Sequence, residues 1–144
     1  MVIATLALAG FFVALYLWLW KLGLVGSLAC GAGGGCETVQ TSPHAEFLGL
    51  PVALYGVAGY AALFAVSVAG LHPHWAERRE PAWLLALLSF VGLSFTTYLT
   101  YLEAFVIHAW CRWCLVSAGI IAAIFATALS ELVSRRTPAA SAGR

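Results

Sequence analysis

Trp110-Cys111-Arg112-Trp113-Cys114-Leu115 stands where a polar turn gives way to the last long apolar run of the chain. On a helix, residues three apart share a face, so the two sulfurs of this Cys-x-x-Cys pair point the same way. In a first helical turn they meet unpaired backbone N–H groups and the positive end of the helix dipole, which favour thiolate over thiol. A close pair with one acidic thiol is suited to cycling between dithiol and disulfide. The other two cysteines, Cys30 and Cys36, lie about eighty residues upstream in the glycine-rich stretch Cys30-Gly-Ala-Gly-Gly-Gly-Cys36. The chain between them decides whether two pairs so far apart can meet.

Hydrophobic residues make up 62% of the 144 and charged residues only 9%, with a mean hydropathy of +0.94. Water-soluble domains average roughly 45–50% apolar and about 25% charged. A soluble fold of this size has no way to hide so much apolar surface, so the composition implies an integral membrane protein. The net charge of +1 and the lack of a basic stretch offer nothing to nucleic acid.

Four apolar runs follow. Residues 2–20 are uncharged and close to the ~20 residues that cross a bilayer core. They lack the basic start and the short apolar core of a signal peptide, and Trp18, Trp20 and Lys21 read as an interfacial anchor. Residues 23–46 form the first loop, in which 37–46 is expected to be a short amphipathic half-helix lying on the membrane surface. The second span is 47–71, with Pro51 tolerated in its first turn and Gly56, Gly59 and Gly70 marking a face for close helix contact. A polar loop over 72–81 leads to a third span, 81–102. There Ser89, Ser94, Thr96, Thr97 and Thr100 bond to backbone carbonyls or neighbouring helices. Residues 103–109 turn the chain, with Glu103 and Glu46 expected hydrated at the interface. The fourth span is 111–133, and 135–144 is a polar cytoplasmic tail. The expected fold is an all-α, integral-membrane four-helix bundle, one domain over 1–134.

Orientation follows from basic residues. Four spans put the termini and the 72–81 loop on one side, the first loop and the Cys-x-x-Cys turn on the other. Arg78, Arg79, Arg135, Arg136 and Arg144 oppose Lys21 and Arg112. The excess places both termini in the cytoplasm and all four cysteines on the outer, oxidising face.

Three readings of the cysteines compete. A structural role, as two disulfides or as one disulfide and two inert buried thiols, is disfavoured because a Cys-x-x-Cys bridge closes too small a loop to staple a fold. A four-cysteine zinc site is disfavoured because one pair is spaced x5, outside the usual x2–4. Thiol–disulfide exchange between a mobile pair (Cys30, Cys36) and a membrane-edge pair (Cys111, Cys114) fits best. Cys114, a turn deeper than Cys111, is where a lipid-soluble quinone would reach. Tyr55, Tyr60, Phe105, Trp110 and Trp113 are candidates to line a quinone slot, against the plainer reading as interfacial anchors. His44 and His108 are candidate proton shuttles or simply solvated residues. Arg112 either steadies an anion or reaches toward lipid phosphate.

These residues resemble a known family. Cys30-x5-Cys36, then Glu-Thr-Val-Gln-Thr-Ser42-Pro, then Phe-Leu-Gly49-Leu-Pro51-Val-Ala-Leu-Tyr-Gly56-Val-Ala-Gly-Tyr60, and Cys111-Arg-Trp-Cys114-Leu-Val-Ser are together similar to the bacterial branch of the vitamin K epoxide reductase family. The similarity covers roughly residues 5 to 130, and the ordered set is far more specific than a lone Cys-x-x-Cys.

The resemblance implies a membrane bundle enclosing a quinone (ubiquinone, menaquinone or a vitamin K form) near the outer surface. By position, Cys114 would react with quinone and Cys111 would resolve it. Cys36 would exchange with Cys111, Cys30 would meet the outside protein, and Ser42 would support the relay. Many bacterial members carry a fused thioredoxin-like domain; here the partner is expected to be a separate thioredoxin-fold protein. The implied function is a quinone-dependent thiol oxidoreductase of the bacterial inner membrane that makes disulfides in exported proteins. The alternatives are vitamin K quinone or epoxide reduction as the physiological purpose, and a non-enzymatic, disulfide-stapled scaffold.

Overall fold

A computed structural model describes residues 1–31, 35–76 and 78–134; the expected tail at 135–144, with its three arginines, lies outside the described residues. Among the described residues, four helices are long and apolar enough to cross a membrane: α1 (Val2–Lys21), α3 (Val52–Ala69), α5 (Glu80–Leu102) and α6 (Arg112–Ser134). They pack in a ring, α1 on α3, α3 on α5, α5 on α6 and α6 back on α1. The chain is an integral-membrane four-helix bundle. Its outward side chains remain apolar, as at Phe12, Trp83 and Phe90, which suits hydrocarbon rather than water.

Small residues set the helix spacing. Ala7, Gly10 and Ala14 line the buried face of α1, and a Cβ on Gly56 of α3 would sit 3.1 Å from that of Ala14. Gly70 packs similarly on Pro81. Gly59 differs from expectation: open space lies beside it, and it lines a groove instead of a helix contact. The hydroxyls of Ser89, Ser94, Thr97 and Thr100 donate to carbonyls three or four residues back, so polar side chains cross the apolar layer satisfied.

The chain stops and turns with recognisable chemistry. Helix α1 ends on Gly23 at φ +74°, with the Gly23 N–H on the Trp20 carbonyl and the Leu24 N–H on that of Leu19. This double bond to the last carbonyls is the Schellman ending that a positive-φ glycine permits. The expected polar loop after α3 contains one helical turn, α4 (Pro73–Ala76), and Arg78 lies over the Trp75 ring at 5.6 Å.

The first loop departs most from expectation. The expected half-helix is α2 (Gly35–Thr41), with Glu37, Thr38 and Thr41 exposed on its outer face. It turns Cys36, Val39 and Gln40 into the bundle, because these residues sit at helical spacing on one face. A 3₁₀ turn (Pro43–Ala45) follows, then a two-residue antiparallel ladder of β1 (Glu46–Phe47) with β2 (Leu50–Pro51). Leu48 and Gly49 both take positive φ, +53° and +78°, the twist a two-residue hairpin requires. The Tyr55 hydroxyl donates to the Phe47 carbonyl at 2.9 Å, tying the hairpin to α3.

Candidate functional site

The two cysteine pairs meet at one end of the bundle. Cys30 and Cys36 are joined as a disulfide, while Cys111 and Cys114 are free thiols. Cys30, Cys36 and Cys111 belong to one buried cluster with Leu17, Leu28, Val39 and Ala53, and Cys114 packs against it.

Close backbone contact creates this meeting. A Cβ at Gly35 would fall 2.5 Å from the Trp110 carbonyl oxygen, so only glycine lets α2 bring Cys36 against the segment holding Cys111. Upstream, the Ala29 N–H donates to the Tyr16 hydroxyl at 3.1 Å, and the Tyr16 ring meets Trp113 edge-on at 5.3 Å. The loop is thereby held to α1 and α6. Arg112 lies beside Gly31, whose added Cβ would come 3.0 Å from its guanidinium. Lys21 closes the other side, donating to the Gln40 carbonyl at 3.0 Å and pairing with Glu46 at 3.4 Å.

Cys111 directly precedes α6. Its carbonyl accepts the Leu115 N–H at 3.0 Å and its sulfur accepts the Cys114 N–H at 3.3 Å. It thus fills the place of a helix N-cap, where an anion is favoured. Hydrogen bonding from the Cys114 thiol, assisted by the Cys114 N–H and Gln40, holds the Cys111 thiol below its ordinary value, against burial and the nearby Glu103 charge. Of the pair, Cys111 is therefore the more readily ionised.

Two residues absent from the sequence-based site complete it. Glu103 was expected at a hydrated interface but is only 2% exposed. Beyond Leu102 the helix widens into a π turn (Glu103–Ile107) that ends on His108 at φ +55°. This turn folds the chain back so that the Cys111 N–H donates to Glu103 Oε2 at 3.0 Å. A carboxylate oxygen and both free sulfurs lie within 4.8 Å of one another. These three donors are one short of a closed structural zinc site. The signal was present in the sequence: a lone acid at the end of an apolar span is a functional hypothesis in its own right. The second residue, Gln40, is buried on α2 one turn after Cys36, with its amide nitrogen 3.6 Å from the Cys114 sulfur.

Cys114 borders two spaces that share part of their lining. A small cavity of about 30 Å³ includes Gln40, Ser42, His44, Glu103 and Cys114. A second, of about 90 Å³, includes Cys114, Glu103, Thr96, Thr100, Phe95 and Ser117. Through Gly56, Phe95, Thr96 and Ser117 it adjoins an apolar groove of about 330 Å³ between α3 and α5, bordered by Phe47, Tyr55 and Tyr60. The room beside Cys114 and the groove it adjoins are mostly apolar, with Thr96 and Ser117 in the lining of both.

The sequence-predicted residues are thus distributed. Ser42 lines the small cavity and donates to the Val39 carbonyl at 2.7 Å. Tyr60 lines the groove with its hydroxyl 2.9 Å from the Ser117 carbonyl. Trp110 is half exposed, and Trp113 faces Tyr16, its buried indole N–H without a partner among the described residues; neither borders these spaces. Phe105 lies outside beside Tyr101, and His44 rather than His108 reaches the small cavity.

Comparison with known proteins agrees with this picture. Residues 1–129 match the vitamin K epoxide reductase family, a stretch that contains all four cysteines, Glu103 and most of α6. The protein is a multi-pass membrane oxidoreductase, its general role is disulfide-forming and quinone-linked, and it belongs to the vitamin K epoxide reductase family.

Proposed function

We propose that the protein takes electrons from a reduced thioredoxin-fold carrier through Cys30 and Cys36 to Cys111 and Cys114, and delivers them to a quinone. The purpose is disulfide formation in exported proteins. The observation that carries this reading is the single cluster holding a closed pair beside an open pair, with Cys114 bordering a cavity among the helices. A scaffold of one bridge and two inert buried thiols gives no reason for Cys114 to border a cavity.

In this cycle the carrier opens the Cys30–Cys36 disulfide through Cys30. Cys36 then exchanges with Cys111 of an oxidised Cys111–Cys114 pair, and Cys30 closes on Cys36 again as both membrane-edge sulfurs become thiols. The ionisable Cys111 is the leaving and entering sulfur, since the lower-pKa thiol leaves faster. Cys114, at the cavity, faces the acceptor. A bound quinone supplies a two-electron, two-proton sink. Tyr55 and Tyr60 border the path of its tail, and Ser42 holds the turn after α2 that carries Cys36. The basic pair Arg78 and Arg79 at the far end of the bundle supports an orientation with the cysteines on the outer side of a bacterial inner membrane.

The test follows the quinone absorbance band with detergent-purified protein and a reduced thioredoxin-fold donor. Loss of the band is expected, and it should cease when Cys30, Cys36, Cys111 or Cys114 is individually replaced by alanine. Turnover by the C114A variant would overturn the assignment of Cys114.

A further inference from the structure

Among the described residues Glu103 is the one buried carboxyl group, and no salt bridge within them reaches it. Its visible bond, accepting the Cys111 N–H, needs only a neutral carbonyl. Burying an ionisable acid for that purpose alone is disproportionate to its cost. What a carboxyl group adds over an amide of the same shape is the capacity to take up and release a proton. The position of Glu103 suits proton transfer. A carboxylate oxygen lies within 4.8 Å of both free sulfurs, and the side chain borders the cavity that extends to Thr96 and Ser117.

We propose that Glu103 carries the thiol protons of Cys111 and Cys114 from sulfur into the cavity. The proposal rests on the quinone relay above and names the residue that handles its protons. Closing the Cys111–Cys114 bridge breaks two S–H bonds and forms one S–S bond, releasing two electrons and two protons. The oxidant is a quinone, which leaves as quinol. The carboxylate accepts one proton from sulfur, releases it to the cavity, and repeats the transfer for the second, ending unchanged. The groups facing Glu103 are few. Cys111 and Cys114 approach from the start of α6, His44 borders the small cavity from the 3₁₀ turn, and Gln40 approaches from α2 with Lys21 behind it. Helix α3 contributes Val52, Ala53 and Gly56.

The experiment compares the parent with E103Q, which retains an oxygen for the Cys111 N–H, and with E103D and E103A. Two quantities are read: quinone reduction, as kcat and KM across pH, and alkylation of Cys111 and Cys114 against pH with no quinone present. E103Q is expected to lower kcat by about 10²-fold, the lower end of general acid–base effects, with an unchanged KM for quinone. E103D should regain part of the rate. The pH profile of Cys114 alkylation should carry a step from Glu103 in the parent, and E103Q should lose that step while keeping the coupling to Cys111. In E103A, formate should accelerate turnover and formamide should not. E103Q turnover within threefold of the parent, with an unchanged alkylation profile, overturns the proposal. If E103Q does not fold, equal rates of E103A with formate and formamide overturn it instead. A parent that reduces no quinone defeats the relay, and the alkylation profiles then decide the role of Glu103 by themselves.

Discussion

Replacing Gly35 by alanine tests how the two cysteine pairs are brought together. The added Cβ would lie 2.5 Å from the Trp110 carbonyl oxygen and 3.2 Å from its nitrogen. Both obstacles are backbone, so no side-chain rotation relieves them. Restoring ordinary contact requires α2 to withdraw by roughly 1 Å, a shift that costs about 10² in rate where reacting groups must be aligned. The steric conflict itself destabilises by about 1–3 kcal/mol. Cys36 follows Gly35 directly and Cys111 follows Trp110, so the withdrawal separates the sulfurs that exchange. The assay starts with Cys111–Cys114 oxidised and the loop pair reduced, quenches with an alkylating reagent at millisecond intervals, and identifies the disulfides by mass spectrometry. Transfer to Cys30–Cys36 should slow by about 10²-fold, whereas oxidation of pre-reduced Cys111 and Cys114 by quinone should keep its rate. G26A is the control, since a Cβ there meets nothing within 4 Å. Parent-like transfer and thermal stability in G35A would refute the claim that this backbone contact sets the relay.

Two further outcomes follow from the packing and the caps. G10A forces a methyl into the ring of Tyr60, which is 5% exposed and tethered to Ser117; a loss of about 1–3 kcal/mol should appear as a lower unfolding midpoint in detergent, while G59A, with open space at its Cβ, should leave that midpoint unchanged. Because hydrogen bonding from Cys114 lowers the Cys111 pKa, the Cys111 thiolate is present above that depressed value and lost as pH falls through it. Its alkylation in the parent should therefore reach half-maximum below the ~8.5 of a free thiol, and C114A should move the midpoint upward. An unmoved midpoint would remove Cys114 as the cause.

The reading of Glu103 explains where sequence reasoning stopped. Hydropathy locates a residue along the membrane normal, and Glu103 does lie at the end of an apolar span. It says nothing of which side of the helix the residue faces, and the π turn with left-handed His108 is what swings the chain back over the acid. No local rule announces that turn, because a wider helical turn is held by tertiary contacts rather than by residue preference. The Leu48-Gly49 hairpin escaped for a related reason: a leucine at positive φ carries none of the Asn-Gly or Asp-Gly signal that normally marks such a turn.

Composition and run length alone determined that this chain crosses a membrane with four helices, since the bilayer demands about twenty apolar residues per span and internally satisfied backbone. The cysteine spacing and an even number of spans likewise determined that two remote pairs share one membrane face. Only the tertiary structure decided that α2 turns inward, that Gly35 seats it on Trp110, and that Glu103 and Gln40 surround the free thiols. Only packing, too, set Tyr55 and Tyr60 beside the groove and Trp110 and Trp113 away from it. These are matters of rotation about helix axes and of sub-ångström backbone clearance. Both depend on residues distant in the chain, whereas span length and polarity are properties of each segment by itself.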